Sequence, residues 1–84
     1  MRLEDKAKEI IANRFGKKDI SEVEPEHEFV RDYKSDSLDA VELIMELEDA
    51  FKISIHEEHA ATLTTVGKVI DHLRENYEGT EYKP

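Results

Sequence analysis

Apolar side chains in this sequence recur at three- and four-residue spacing in three separate stretches, and nowhere alternate with polar ones for long enough to pair as a strand. Leu3, Ala7, Ile10, Ile11 and Phe15 form the first set, which predicts an amphipathic helix over residues 2–15 stopped by Gly16. Ala40, Leu43, Ile44, Leu47, Ala50 and Phe51 form the second. At 3.6 residues per turn they fall within an arc about 120° wide, enough for a core-facing side. This helix is expected to begin at Asp36 or Ser37, either of which can cap free backbone N–H groups, and to run to about Phe51 with Asp39 in its first turn. Val66, Val69, Ile70, Leu73 and Tyr77 form the third set, opening after Thr64 or Thr65. Ile53-Ser54-Ile55 is too short and isolated to argue for a sheet, and His56 to Ala60 has room for one helical turn.

The pattern predicts an all-α fold, a small antiparallel bundle of three long helices plus one short helix. Residues 17–35 break the periodicity with Ser21, Pro25 and scattered acids. They are expected to form a long loop between the first and second helices, pinned to the core through Ile20, Val23, Phe29 and Val30. Structureless connections beyond about 12–15 residues are uncommon unless functional. The carrier of this core is one domain over residues 1–77, followed by a flexible C-terminal tail over 78–84, where Gly79 and the loss of apolar period predict fraying. With 84 residues and no cysteine, the domain has neither a deep core nor a disulfide framework, and a thiolate metal site is excluded.

Charge narrows the partners. Twelve Lys and Arg stand against 21 Asp and Glu, a net charge of −9, which repels nucleic-acid phosphates and anionic lipid heads. No apolar run approaches the roughly 20 residues that cross a bilayer, and the first residues are polar and acidic. The chain is therefore expected to be a soluble, unprocessed, cytoplasmic monomer that neither binds nucleic acid nor inserts into membranes. The acids are concentrated: residues 36–60 hold Lys52 against Asp36, Asp39, Glu42, Glu46, Glu48, Asp49, Glu57 and Glu58. The same segment carries a second apolar stripe, Leu38, Val41 and Met45, at i, i+3 and i+7 and roughly opposite the core face. Glu48 lies on one flank of the stripe, Glu42 and Asp49 on the other. Scattered surface apolar residues need no explanation singly, but three in register with an acidic rim predict a docking surface. Its charges would steer a basic partner and its stripe would supply burial on contact.

The string Asp36-Ser37-Leu38-Asp39-Ala40-Val41-Glu42-Leu43 resembles the phosphopantetheine attachment motif of acyl carrier proteins. The resemblance spans nearly the whole chain, through Phe29-Val30, Leu47-Glu48-Asp49-Ala50-Phe51, Ile53-Ser54-Ile55 and Thr64-Thr65-Val66. It implies that Ser37, between Asp36 and Leu38, receives a covalent 4'-phosphopantetheine arm from coenzyme A through a phosphopantetheinyl transferase, and that the arm's thiol holds acyl intermediates. It further implies that Leu38, Asp39, Val41, Glu42, Met45, Glu48 and Asp49 meet acyl synthases, reductases and transferases with basic docking patches. The apolar set including Ile10, Phe29, Leu43, Leu47, Phe51, Val66 and Ile70 matches a core that in the family can admit the acyl chain. A phosphate at Ser37 would meet the positive end of a helix, an attraction that Asp36 and Asp39 oppose. The chain departs from the family where Leu-Gly-Ala commonly precedes Asp-Ser-Leu: here Tyr33-Lys34-Ser35 removes the glycine and brings in a cation. Arg31 stands where an acid is usual, and His56 where proline is common. A specialised carrier for one pathway is thereby a serious option beside fatty acid, polyketide or other lipid synthesis.

Other constellations are weaker. Asp32, Lys34, Asp36 and Asp39 lack the sixth-position Gly and twelfth-position Glu of a calcium loop, those places holding Ser37 and Leu43. His56 and His59 with Glu57 or Glu58 offer no third fixed ligand, so no metal site is expected. Ser21 beside acids is read as a loop or capping serine ahead of a kinase acceptor. No nucleophile with its base and no Gly-rich phosphate loop is present, so no autonomous catalysis is expected. A peptidyl or aminoacyl carrier, and an acidic adaptor that docks through the second helix without using Ser37, remain the alternatives.

Overall fold

The computed structural model describes residues 1–83. Five α-helices account for most of them: α1 (Leu3–Arg14), α2 (Phe29–Tyr33), α3 (Ser37–Phe51), α4 (Glu57–Ala60) and α5 (Val66–Asn76). No strand forms among the described residues, only the isolated bridges Arg2 to Glu81 and Glu28 to Thr65. Local chemistry fixes the helix ends. Glu4 and Asp5 sit in the first turn of α1, where the helix dipole favours acids, and Gly16 supplies the left-handed turn just past its end at φ 71°. Thr65 opens α5 with its hydroxyl accepting the Lys68 N–H at 3.1 Å, and Lys52 closes α3 in the left-handed region.

The core is the sum of the three helical stripes. Leu3, Ala7 and Ile11 of α1, Leu43, Leu47 and Phe51 of α3, and Val66, Val69, Ile70 and Leu73 of α5 are all buried, and α1 packs against both α3 and α5. The core-facing set of α3 is not buried in whole. Ala40 is exposed, and Ile44 and Ala50 are only half-buried. The single turn of α4 is too short to cover the flank of α3 that bears Ala40 and Ile44.

The segment between α1 and α3, expected as a long loop, is more structured than that. Asp19 and Glu22 form a reciprocal capping box around a 3-10 turn at Ile20–Glu22, and α2 follows. The segment is tied to the start of α5 by three backbone hydrogen bonds: Gly67 N–H to the Pro25 carbonyl at 2.8 Å, Val66 N–H to His27 at 3.0 Å, and Phe29 N–H to Thr64 at 3.1 Å. Gly67 lets the backbones approach this closely, since a Cβ there would lie 3.1 Å from the Pro25 carbonyl oxygen and would need the turn to give by a few tenths of an ångström. Val23 and Phe29 are buried anchors. Val30 is not: it is 73% exposed, because on a one-turn helix the residue next to a buried one points about 100° away.

Residues 78–83, the described part of the expected C-terminal tail, lie against the start of α1. The Leu3 N–H donates to the Thr80 carbonyl and the Tyr82 N–H to the Met1 carbonyl, both at 2.8 Å. Tyr82 meets Phe51 edge to face at 5.2 Å between ring centroids, and the Lys6 ammonium stands over its ring, 5.2 Å from the centroid. An aromatic ring outside any period still finds apolar surface, and the paired backbone follows it. Pro84, the last residue of the expected tail, lies outside the described residues.

Candidate functional site

The junction of α2 and α3 is built by backbone chemistry over five residues. Lys34 ends α2 by turning into the left-handed region, φ 57° and ψ 34°, and the Ser35 N–H then closes onto the Phe29 carbonyl at 3.0 Å. Ser35 is buried, its hydroxyl donating to the Asp36 carbonyl at 3.1 Å. Asp36 caps α3: its carboxylate accepts the Asp39 N–H at 2.8 Å while the Asp39 carboxylate accepts the Asp36 N–H at 3.2 Å. Of the two capping options read from the sequence, Asp36 is the one used. Ser37 is the first helical residue and is exposed. Its neighbours hold the first turn, and it stands exposed at the positive end of a fifteen-residue helix.

Two grooves open along α3, and one of them reaches Ser37. One, of about 460 Å³, is lined by Phe29, Ser35, Ser37, Ala40, Ala61 and Leu63. The other, also about 460 Å³, runs along Ala40, Val41, Ile44, Met45, Ile55 and Ala60. Both are mainly apolar, and both use Ala40, Ala60 and Ala61 as walls. The flank left uncovered by α4 is what makes them, so the exposure of Ala40 and the partial burial of Ile44 belong to the site.

The outward stripe stands clear of the core. Leu38 is 63% exposed, Val41 56% and Met45 57%. Its acidic rim is less uniform than the sequence implies. Arg14, at the end of α1, bonds both Glu42 and Glu46, and Glu46 with Glu42 holds its guanidinium pKa above the usual arginine value. Glu48 accepts the Ile55 N–H at 2.8 Å, Asp39 is engaged in the cap, and Asp49 is exposed. Arg14 was missed as part of this surface. The only hint in the sequence is that a basic residue ends the first helix while the second is crowded with acids.

The weaker constellations are dispersed. Asp36 and Asp39 cap α3, and Asp32 accepts the Glu28 N–H at 2.7 Å. The Arg31 guanidinium, with that N–H, holds the Asp32 carboxyl below its ordinary range. His56 and His59 are not the histidines brought together: the His59 ring meets His72 of α5, with centroids 5.4 Å apart. Ser21 lies in the 3-10 turn with its N–H on the Asp19 carboxylate. No helix among the described residues is long and apolar enough to cross a membrane.

The family model described as the phosphopantetheine attachment site matches residues 5–73 of this chain. A relative from Rubrobacter xylanophilus named acyl carrier protein is 51% identical over 71 residues, which is 84% of this chain and 86% of the relative. A solved structure from Mycobacterium tuberculosis, assigned as an acyl carrier protein, superposes with a TM-score of 0.80 at 29% identity, covering 87% of this chain and 96% of that one.

Proposed function

The chain belongs to the phosphopantetheine-attachment family and, within it, to the acyl carrier proteins, and from that premise we propose that Ser37 bears the arm and that α3 presents its load to basic enzymes. It is a carrier and not an enzyme, working with a covalently attached phosphopantetheine group. When attached, 4'-phosphopantetheine supplies the thiol that a chain without cysteine lacks, and the acyl group is held there as a thioester. The observation that supports Ser37 is its position: exposed at the first turn of α3, with capping done by Asp36 and Asp39, so that substitution on its oxygen disturbs no hydrogen bond of the cap.

The chain's own residues then have three tasks. Asp36 and Asp39 fix the first turn and hence the direction of Ser37. Leu38, Val41 and Met45 give up exposed apolar surface to a partner, each contributing up to about 1.5–3 kcal/mol before ordering costs. Asp49, Glu48 and the partly neutralised Glu42 steer the approach of a phosphopantetheinyl transferase and of acyl synthases, reductases and transferases with basic patches. The grooves flanked by Ala40 and Ala60 are wide enough to shelter part of an acyl chain. We place the protein in the cytoplasm as a monomer serving fatty acid or related polyketide or specialised lipid synthesis. Tyr33-Lys34-Ser35, which reshapes the approach to Ser37, favours a specialised pathway.

Incubation with coenzyme A and a phosphopantetheinyl transferase should add one arm, seen by intact mass and by one free thiol where there was none, and Ser37→Ala should abolish both. Modification persisting in Ser37→Ala would move the attachment to another serine. A wild-type chain left untouched by several such transferases would favour the adaptor reading.

A further inference from the structure

We propose that His59 and His72 together form a binding site for a divalent transition-metal ion of the Zn2+ or Ni2+ class, bridging α4 to α5. The two rings lie with centroids 5.4 Å apart and planes inclined by 62°. Two imidazoles bound through nitrogen to one tetrahedral ion at about 2.1 Å have centroids roughly 5 Å apart, so the separation suits chelation, and a turn of the exposed His59 ring out of the present edge-to-face contact would bring one nitrogen of each ring to the ion. His59 is exposed and His72 half-buried, which lets the first ring turn while the second is held. The Asn76 amide restrains His72, donating to its carbonyl at 2.8 Å and lying 3.4 Å from Nε2, which leaves Nδ1 as the His72 nitrogen open to an ion.

The surroundings suit a cation with open coordination. The rings face a groove of about 580 Å³ that Asp71 and Glu75 also line. The nearest competing cation on that face, the Lys68 ammonium, is turned toward the Thr64 hydroxyl at 3.3 Å. No three His, Cys, Asp or Glu residues among the described ones are grouped to hold an ion, so water completes the shell and the ion exchanges readily. Imidazole selects ions of the zinc and nickel class over magnesium and calcium, which prefer oxygen. Neither histidine has a task in the carrier function proposed above. The consequence would nevertheless reach it, because α4 is one turn long and ends in Ala60, a wall of both grooves along α3, one of which reaches Ser37. An ion holding α4 to α5 would fix that wall.

The test uses thermal unfolding of the full apo chain in excess MgCl2, which occupies the carboxylates of α3, with ZnCl2 or NiCl2 titrated in. An ion bound only by the folded state raises the melting temperature with concentration, here by several degrees once it exceeds its dissociation constant about tenfold. His59→Ala and His72→Ala should each lose most of this rise, while His56→Ala and Ser37→Ala keep it. Should one of the variants unfold, Ni2+ broadening of histidine ring signals in the wild type answers the same question: His59 and His72 should broaden together, before His27 and His56. The proposal is overturned if the wild type gains nothing beyond magnesium, if His59→Ala or His72→Ala responds fully, or if other histidines broaden first. Because Ser37 plays no part, failure here leaves the carrier reading untouched.

Discussion

Leu47 and Met45 are two residues apart on α3 and opposite in circumstance: the first is fully buried and the second 57% exposed. Leu47→Ala should cost about 2–5 kcal/mol, since the cavity it leaves cannot collapse in a tightly packed core. Met45→Ala should stay within about 0.5 kcal/mol, as surface changes do. Urea unfolding of both variants measures the contrast; equal losses would mean that α3 is covered on both sides, and the docking surface would have to be abandoned. Lys34 is a different case of position outweighing residue type. The glycine common in the family is missing there, yet the backbone adopts φ 57° with lysine in place. The left-handed conformation costs a residue with a Cβ roughly 1–2 kcal/mol. Lys34→Gly should therefore stabilise the chain by about 1 kcal/mol despite the greater freedom it gives the unfolded state. A variant no more stable than the wild type would show that the turn is not strained.

Among the elements, α3 announces itself and α2 does not. α3 has fifteen residues, a capping box and two distinguishable faces; α2 has five residues, too few to show a period or to stand alone. What holds α2 is aromatic packing. Phe29 stacks on Phe15 at 5.9 Å, and Tyr33 sits against Phe15, Phe29 and His27, its hydroxyl 2.8 Å from His27 Nδ1. Burial, and after it the charges of Asp32 and Glu24, push the Tyr33 phenol up to about 12 from its ordinary 10. The folded state thus keeps a proton that the unfolded chain gives up earlier. Its contribution is complete below pH 10 and is lost as pH climbs from 10 toward 12. In urea titrations across that window, stability of the wild type should fall more steeply than that of Tyr33→Phe. Parallel slopes would place the phenol in water.

Over the whole molecule, like-charge repulsion is the dominant electrostatic fact: the net charge is −9, and residues 36–60 carry eight acids against one lysine. Arg14 offsets Glu42 and Glu46 from across the α1 and α3 contact, but the remainder is unscreened in dilute buffer. Added NaCl or MgCl2 at neutral pH should raise the melting temperature by screening and weak binding. A melting temperature that stays flat or falls would refute the repulsion argument. The same contrast between local and global separates what was legible beforehand. The sequence alone determined the helical stripes of α1 and α5 and most of that of α3, a capped start of α3 at Asp36 or Ser37, and the outward setting of Leu38, Val41 and Met45, because each depends on residues within a few turns of one another. Only the tertiary structure decided that Val30 points out, that Ala40 walls a groove, that residues 78–83 lie along the start of α1, that Arg14 tempers the acidic face, and that His59 meets His72 and not His56. Those outcomes depend on how helices cross and which flank a short helix leaves bare, and a one-dimensional period gives the direction of a side chain about its own axis without saying what stands opposite it.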